Sequence, residues 1–169
     1  MVTFNVAAIP EGHSRFETEV SVQDVDLSDS EEFTRSIHIV YDCNKIGDEV
    51  FITTLLSTAV DLTCDVCLDQ FQLHLKEKVE IVLTTDSELV ERDEEDIYLI
   101  TDASTNVDIT DSIRQTLVLA IPFKKKCKET CKGLCETCGA NLNYEQCSCS
   151  QTKIDPRWQG LKNISFDDE

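Results

Sequence analysis

Eight of the nine cysteines in this 169-residue chain fall into close pairs: Cys64 and Cys67, Cys127 and Cys131, Cys135 and Cys138, Cys147 and Cys149. A Cys-x2-Cys turn sets two sulfurs on one side and leaves backbone amides to hydrogen-bond them, and zinc takes four thiolates in a tetrahedron. Gly139, directly after Cys138, suits such a turn because glycine tolerates positive φ. Four pairs are enough for two four-thiolate sites. A local site of Cys135, Cys138, Cys147 and Cys149 closes a short ring at small cost in chain entropy. That leaves Cys64 and Cys67 to combine with Cys127 and Cys131. An interleaved set, Cys64 and Cys67 with Cys135 and Cys138, competes with this arrangement. Cys147-x-Cys149 is a tight spacing that could leave one of its thiols unbound. One or two structural Zn2+ ions are therefore expected.

Other chemistry finds less support. A thioredoxin-like dithiol opens a helix after a strand, where the helix N-terminus lowers a thiol pKa. No such strand–helix pattern surrounds Cys64 and Cys67. Cys43 has no close partner and reads as a plain thiol near a loop. The histidines are isolated: His13 in a loop, His38 and His74 on the polar parity of strands. With no Cys–His pair at useful spacing and no glycine-rich phosphate loop, no catalytic constellation is visible. A non-enzymatic protein without a small-molecule substrate is expected.

The paired cysteines need a scaffold, and the first half of the chain reads as strands. Val2, Phe4, Val6 and Ala8 alternate; Phe16, Val20 and Val22 share a parity; Phe33, Ile37, Ile39 and Tyr41 alternate again. Val50, Ile52, Leu56, Val60, Leu62 and Cys64 lie on one face of a long strand, and Phe71, Leu73, Leu75, Val79, Ile81 and Leu83 on one face of the next. Period-two alternation marks half-buried strands. The two runs form a hairpin with Cys64-x2-Cys67 at its tip. Residues 86–96 carry seven acids and one Arg and read as a solvated loop. Ile109, Ile113, Leu117 and Ile121 then recur every four residues, predicting a helix capped by Asp108, with Asp111 in its first turn, and ended by Pro122. Asp155-Pro156 predicts a short final helix through Leu161.

Hydrophobic residues make up 41% of the chain, enough for one domain with a real core. No apolar run is long enough to span a bilayer, and the N-terminus lacks a signal-peptide pattern. A cytoplasmic location is expected, where thiols stay reduced. The net charge of −18 is uneven: residues 1–120 carry net −19, residues 121–165 net +4. Lys124, Lys125, Lys126, Lys128 and Lys132 flank the cysteines; with Arg157, and with Tyr144 and Trp158 to stack, they are candidates for contact with RNA. The acidic body suits a basic partner such as a ribosomal protein, or serves solubility alone.

The string Cys131-Lys-Gly-Leu-Cys-Glu-Thr-Cys-Gly-Ala-Asn-Leu-Asn143, followed by Cys147-Ser-Cys149 and Asp155-Pro-Arg157, resembles the YceD family of bacterial proteins. So do Cys64-Asp-Val-Cys-Leu68 and the Asp108-Ile-Thr-Asp…Leu-Ala-Ile-Pro122 helix. The likeness covers roughly residues 50–162. The family often has Arg before the second cysteine of the first pair, where this chain has Val66. The resemblance implies a role in accumulation of large-subunit ribosomal RNA, in contact with a large-subunit precursor through a ribosomal protein or rRNA, and no enzymatic activity. The alternative is a thiol-based redox or zinc-responsive regulator.

The expected architecture is α+β: a mainly antiparallel, partly barrel-like sheet, one covering helix, and a cysteine-rich zinc-binding C-terminal segment. Residues 1–122 would form an acidic β-rich body that includes helix 108–121. Residues 123–169 would pack on it and end in a short helix and an acidic tail.

Overall fold

A computed structural model describes residues 1–86, 97–100, 106–149 and 157. The expected acidic loop beyond Asp86, the short helix after Asp155, Trp158 and the acidic tail lie outside the described residues.

The long alternating runs form the longest strands. After β1 (Thr3–Asn5) and β2 (Gly12–Val20) come β3 (Ile37–Ile46), β4 (Glu49–Thr63) and β5 (Gln70–Thr84), then β6 (Ile97–Leu99), β7 (Asn106–Asp108) and the helix α1 (Thr110–Leu119). One sheet has the order β2-β3-β4-β5-β6, antiparallel except that β6 runs parallel to β5. A second, two-stranded sheet pairs β1 with β7. The β4–β5 register runs unbroken from Val50 opposite Leu83 to Thr63 opposite Gln70, so residues 64–69 are the hairpin tip.

The sheet is open, which corrects the expected partly barrel-like form. Closure would require β2 to pair with β6, and no such pairing is found among the described residues. Along β2, Arg15, Glu17, Thr18 and Glu19 are exposed, as suits an edge that must not recruit another strand. Strand parity also misled at three places. Val6–Ala8 and Val22–Val25 are 3-10 turns, and Phe33 is buried in the connection before β3. Conversely His13 lies on β2, not in a loop, and Cys43 is fully buried on β3 between neighbouring strands.

The core lies on one face of the large sheet. Val50, Ile52, Leu56, Val60 and Leu62 from β4 and Leu75, Val79, Ile81 and Leu83 from β5 are buried there. Ile109, Ile113 and Leu117 cover them, each at 0% exposure, from a helix packed against β5 and the Val22–Val25 turn. Each such side chain contributes about 1.5–3 kcal/mol by leaving water. The helix is one turn shorter than its apolar period suggested. Its N-cap position is Ile109, while Asp108 Oδ1 accepts from the Thr110 N–H at 2.9 Å. Thr110 Oγ1 in turn accepts from the Val2 N–H at 2.8 Å, tying the helix start to the N-terminus. No helix among the described residues is long and apolar enough to cross a membrane.

Candidate metal centres

The hairpin tip is organised by its own backbone. Cys64 N–H donates to Asp69 C=O at 2.9 Å and Leu68 N–H to Cys64 C=O at 2.9 Å. The same pattern recurs in the C-terminal segment: Cys135 N–H to Ala140 C=O at 2.8 Å, and Gly139 N–H to Cys135 C=O at 2.8 Å. Each Cys-x2-Cys turn ends in a left-handed residue, Leu68 at φ 61° and Gly139 at φ 75°. The two turns are therefore copies of one knuckle.

The chain after α1 straps onto the tip. Asp65 N–H donates to Lys125 C=O at 2.8 Å and Lys125 N–H to Asp65 Oδ2 at 2.7 Å. Lys125 Nζ meets Glu32 Oε1 at 2.9 Å. This places Cys127 and Cys131 against the knuckle.

Two sulfur clusters result: Cys64, Cys67, Cys127 and Cys131, and then Cys135, Cys138, Cys147 and Cys149, each with all four Sγ atoms within 4.8 Å of one another. Neither the interleaved combination nor a tight spacing that strands Cys147 or Cys149 is what the fold brings together. In the first cluster Cys64 and Cys131 sulfurs are 3.9 Å apart and those of Cys67 and Cys127 3.6 Å. Such gaps are far too long for a disulfide, at about 2.05 Å. They match the edge of a tetrahedron with metal–sulfur bonds of about 2.3 Å, which is about 3.8 Å. The residues thus fit a metal, and each cluster could hold one ion. Among the eight, only Cys138 is exposed.

The electrostatics favour thiolates at the first cysteine of each knuckle. Burial raises the Cys64 thiol, but the N–H groups of Cys127, Val66 and Cys67 outweigh it and bring the pKa down to about 6. Cys135 is brought to about 6 by the N–H groups of Cys138 and Thr137, with help from neighbouring thiols. Cys127 and Cys147 shift the opposite way, Cys127 raised first by burial and Cys147 first by its contact with Cys135. Cys149 is pushed up to about 12, first by its contact with Cys138 and then by burial. Four thiols at van der Waals distance cannot all ionise without a cation between them, and a metal ion would supply it.

Three residues that the sequence did not single out complete the surroundings. Asn143 Nδ2 donates to Cys131 Sγ at 3.4 Å and to Asn141 Oδ1 at 2.9 Å. Asn141 Nδ2 lies 3.1 and 3.0 Å from the two carboxylate oxygens of Asp69. The one available signal was an Asn-x-Asn directly inside a ligand loop. Of the candidate contact residues, Lys124, Lys126, Lys128, Lys132, Tyr144 and Arg157 are exposed. Lys125 is turned inward onto Glu32.

The family described as large ribosomal RNA subunit accumulation protein YceD matches residues 52–165. A chloroplastic YCED homolog 1 of Arabidopsis thaliana, named as a large ribosomal RNA subunit accumulation protein, is 38% identical over 58 residues, which cover 34% of this chain and 18% of that protein. Its counterpart in Zea mays is 40% identical over 63 residues, covering 37% of this chain and 20% of that protein. An uncharacterized protein of Mycobacterium tuberculosis is 29% identical over 122 residues, 69% of this chain and 56% of its own length. This chain thus spans little more than half of the bacterial relative and about a fifth of the plant ones. No solved structure matches.

Proposed function

The chain belongs to the YceD family of large ribosomal RNA subunit accumulation proteins, and from that premise we propose a non-enzymatic factor of large-subunit biogenesis whose C-terminal segment is held by two structural zinc ions. The observation that carries the zinc reading is the pair of four-sulfur clusters. Four soft thiolates in a tetrahedron select zinc over hard cations. Bound there, zinc would cross-link segments that have little apolar core of their own. Catalytic zinc needs an open position for water, and four thiolates leave none. That supports a structural role and the absence of catalysis. The thiols also call for a reducing compartment, which we take to be the cytoplasm.

The contact surface we favour for rRNA is the edge beside the first cluster. Lys124, Lys126 and Lys128 are exposed while Lys125 and Cys127 between them turn inward. This alternation presents three cations on one side of the strap, with Lys132 beyond. Lysine charges that meet phosphates give salt-dependent affinity. A second reading, in which a basic ribosomal protein docks on the body, draws on the net −19 of residues 1–120 and on a cleft lined by Glu31, Glu32 and Asp61. A thiol-based redox or zinc-responsive role would draw on the exposed Cys138; metal retained under oxidant and mild zinc limitation would exclude it.

The test is recovery of the tagged protein with precursor large subunits, for wild type and a Lys124→Glu, Lys126→Glu, Lys128→Glu variant. The variant should keep its metal and lose the RNA. An unchanged yield of precursor RNA would move the contact to the acidic body. Absence of wild type from precursor particles, with large-subunit rRNA levels unchanged after deletion, would overturn the functional reading.

A further inference from the structure

We infer that the two sulfur clusters bind metal cooperatively, and that Asn141 and Asn143 are the positioning residues that couple them. This rests on the metal reading above, but asks more of the structure than two separate sites.

Asn141 and Asn143 lie between Cys138 and Cys147, inside the loop that the second cluster closes. Their side chains nevertheless serve the first. The two protons of Asn143 Nδ2 go to Cys131 Sγ at 3.4 Å and Asn141 Oδ1 at 2.9 Å. Asn143 Oδ1 accepts from the Lys132 N–H at 3.1 Å, beside the same ligand. Asn141 Nδ2 bridges both oxygens of Asp69, two residues after Cys67. One amide chain therefore runs from Cys131 to the far side of the hairpin tip, and every link in it comes from the second cluster's loop.

The backbone between the clusters leaves no slack. Leu134 N–H donates to Val66 C=O at 3.1 Å, and Leu142 N–H to Gly133 C=O at 2.9 Å. A Cβ at position 133 would stand 2.8 Å from Val66 Cγ1 and 2.9 Å from Val66 O. Only glycine permits this approach.

The consequence follows from chain entropy. With the second cluster open, residues 139–146 are free to sample many conformations, and each amide contact to the first cluster must order them. With it closed, that ordering is already done, and the N–H···S bond to Cys131 forms at little further cost. An amide that bonds a metal-bound thiolate typically affects metal affinity 10–100-fold. Coupling of equilibrium affinities is reciprocal, so filling the first cluster tightens the second by the same factor.

The experiment uses the full chain loaded with cadmium-113, read by NMR and by chelator competition, in wild type, Asn143→Ala, Cys147→Ser and the double variant. Wild type should give two thiolate-cadmium resonances. Asn143→Ala should keep both ions, shift the first-cluster resonance alone, and weaken that cluster by about tenfold. Cys147→Ser should weaken the first cluster similarly, and should add little once Asn143 is already Ala. An unmoved first-cluster resonance and affinity in Asn143→Ala would overturn the coupling, as would additive effects in the double variant. An unmoved first cluster in Asn143→Ala overturns the coupling even if Cys147→Ser fails to fold. Fewer than two ions in wild type would overturn the metal reading itself, and the coupling with it.

Discussion

Leu68 occupies in the first knuckle the position that Gly139 holds in the second. Each donates its N–H to the carbonyl of the knuckle's first cysteine, and each is left-handed, at φ 61° and 75°. For an L-residue this conformation costs about 1–2 kcal/mol. Leu68 is 63% exposed, so its side chain recovers little by burial. Leu68→Gly should therefore stabilise the metal-loaded protein, by about 0.5–1 kcal/mol after the extra chain entropy of glycine. Gly139→Ala, where open space surrounds the added methyl, should destabilise it by about 1 kcal/mol. Urea unfolding of the two variants measures both.

Gly133→Ala should cost more than Gly139→Ala. Both positions have φ of 75°, but only at 133 does the added methyl meet the Val66 carbonyl. A strained backbone costs about 1–3 kcal/mol by itself, and relief here would break the Leu134 to Val66 hydrogen bond. The expected outcome is a lower urea midpoint than Gly139→Ala and faster loss of metal to a chelator. Equal behaviour of the two variants would show that the close approach is unimportant.

The strap is held to the body by Lys125 and Glu32. The Lys125 ammonium, then the Ser30 hydroxyl, holds the Glu32 carboxyl below its ordinary value. A lowered carboxylate contributes stability that is present above the unfolded value and lost as pH falls through the folded one. Both side chains remain about a third exposed, so Glu32→Gln should cost no more than about 1 kcal/mol at neutral pH. The difference from wild type should vanish in acid, below the folded value. Chemical unfolding at pH 7 and at successively lower pH checks the sign.

Cys43 tests the opposite limb. Burial, and then the neighbouring Asp42 charge, push its thiol up to about 11 from an ordinary value of 9.0. A raised pKa contributes stability that is complete below pH 9 and is lost as pH rises through about 11. Cys43→Ala should flatten this alkaline loss relative to wild type. In the native, metal-loaded protein the Cys43 thiol should resist alkylation at neutral pH, because it is fully buried on β3.

Where a long signal existed, the sequence was readable. Fifteen-residue strands repeat the two-residue period about seven times each, and the stripe of α1 with its N-cap, Ile109, Ile113 and Leu117, is fully buried. The combination of cysteine pairs was also readable, because ring closure favours the local set. Short elements were not: β6 and β7 have three residues each and exist only because β5 and β1 offer partners. Val6 and Val22 kept the parity of a strand while turning into 3-10 geometry, since burial fixes a face and not a dihedral. Closure of a sheet depends on its edges, and alternation within a strand does not report which strands are edges; on β2 only the exposed Arg15, Glu17 and Glu19 carry that signal. Leu68 could not be found from residue type, which places glycine at such positions. Asn141 and Asn143 act on a cluster whose ligands lie elsewhere in the chain, and local spacing does not report that.

The proposed role of the two clusters requires each to hold its own metal ion. Elemental analysis of protein purified under reducing conditions, for wild type, Cys64→Ser and Cys135→Ser, tests it most directly. Two independent clusters require two zinc ions per chain in wild type and about one in each variant. A wild-type chain without zinc, or one zinc ion abolished by either substitution, would contradict the account.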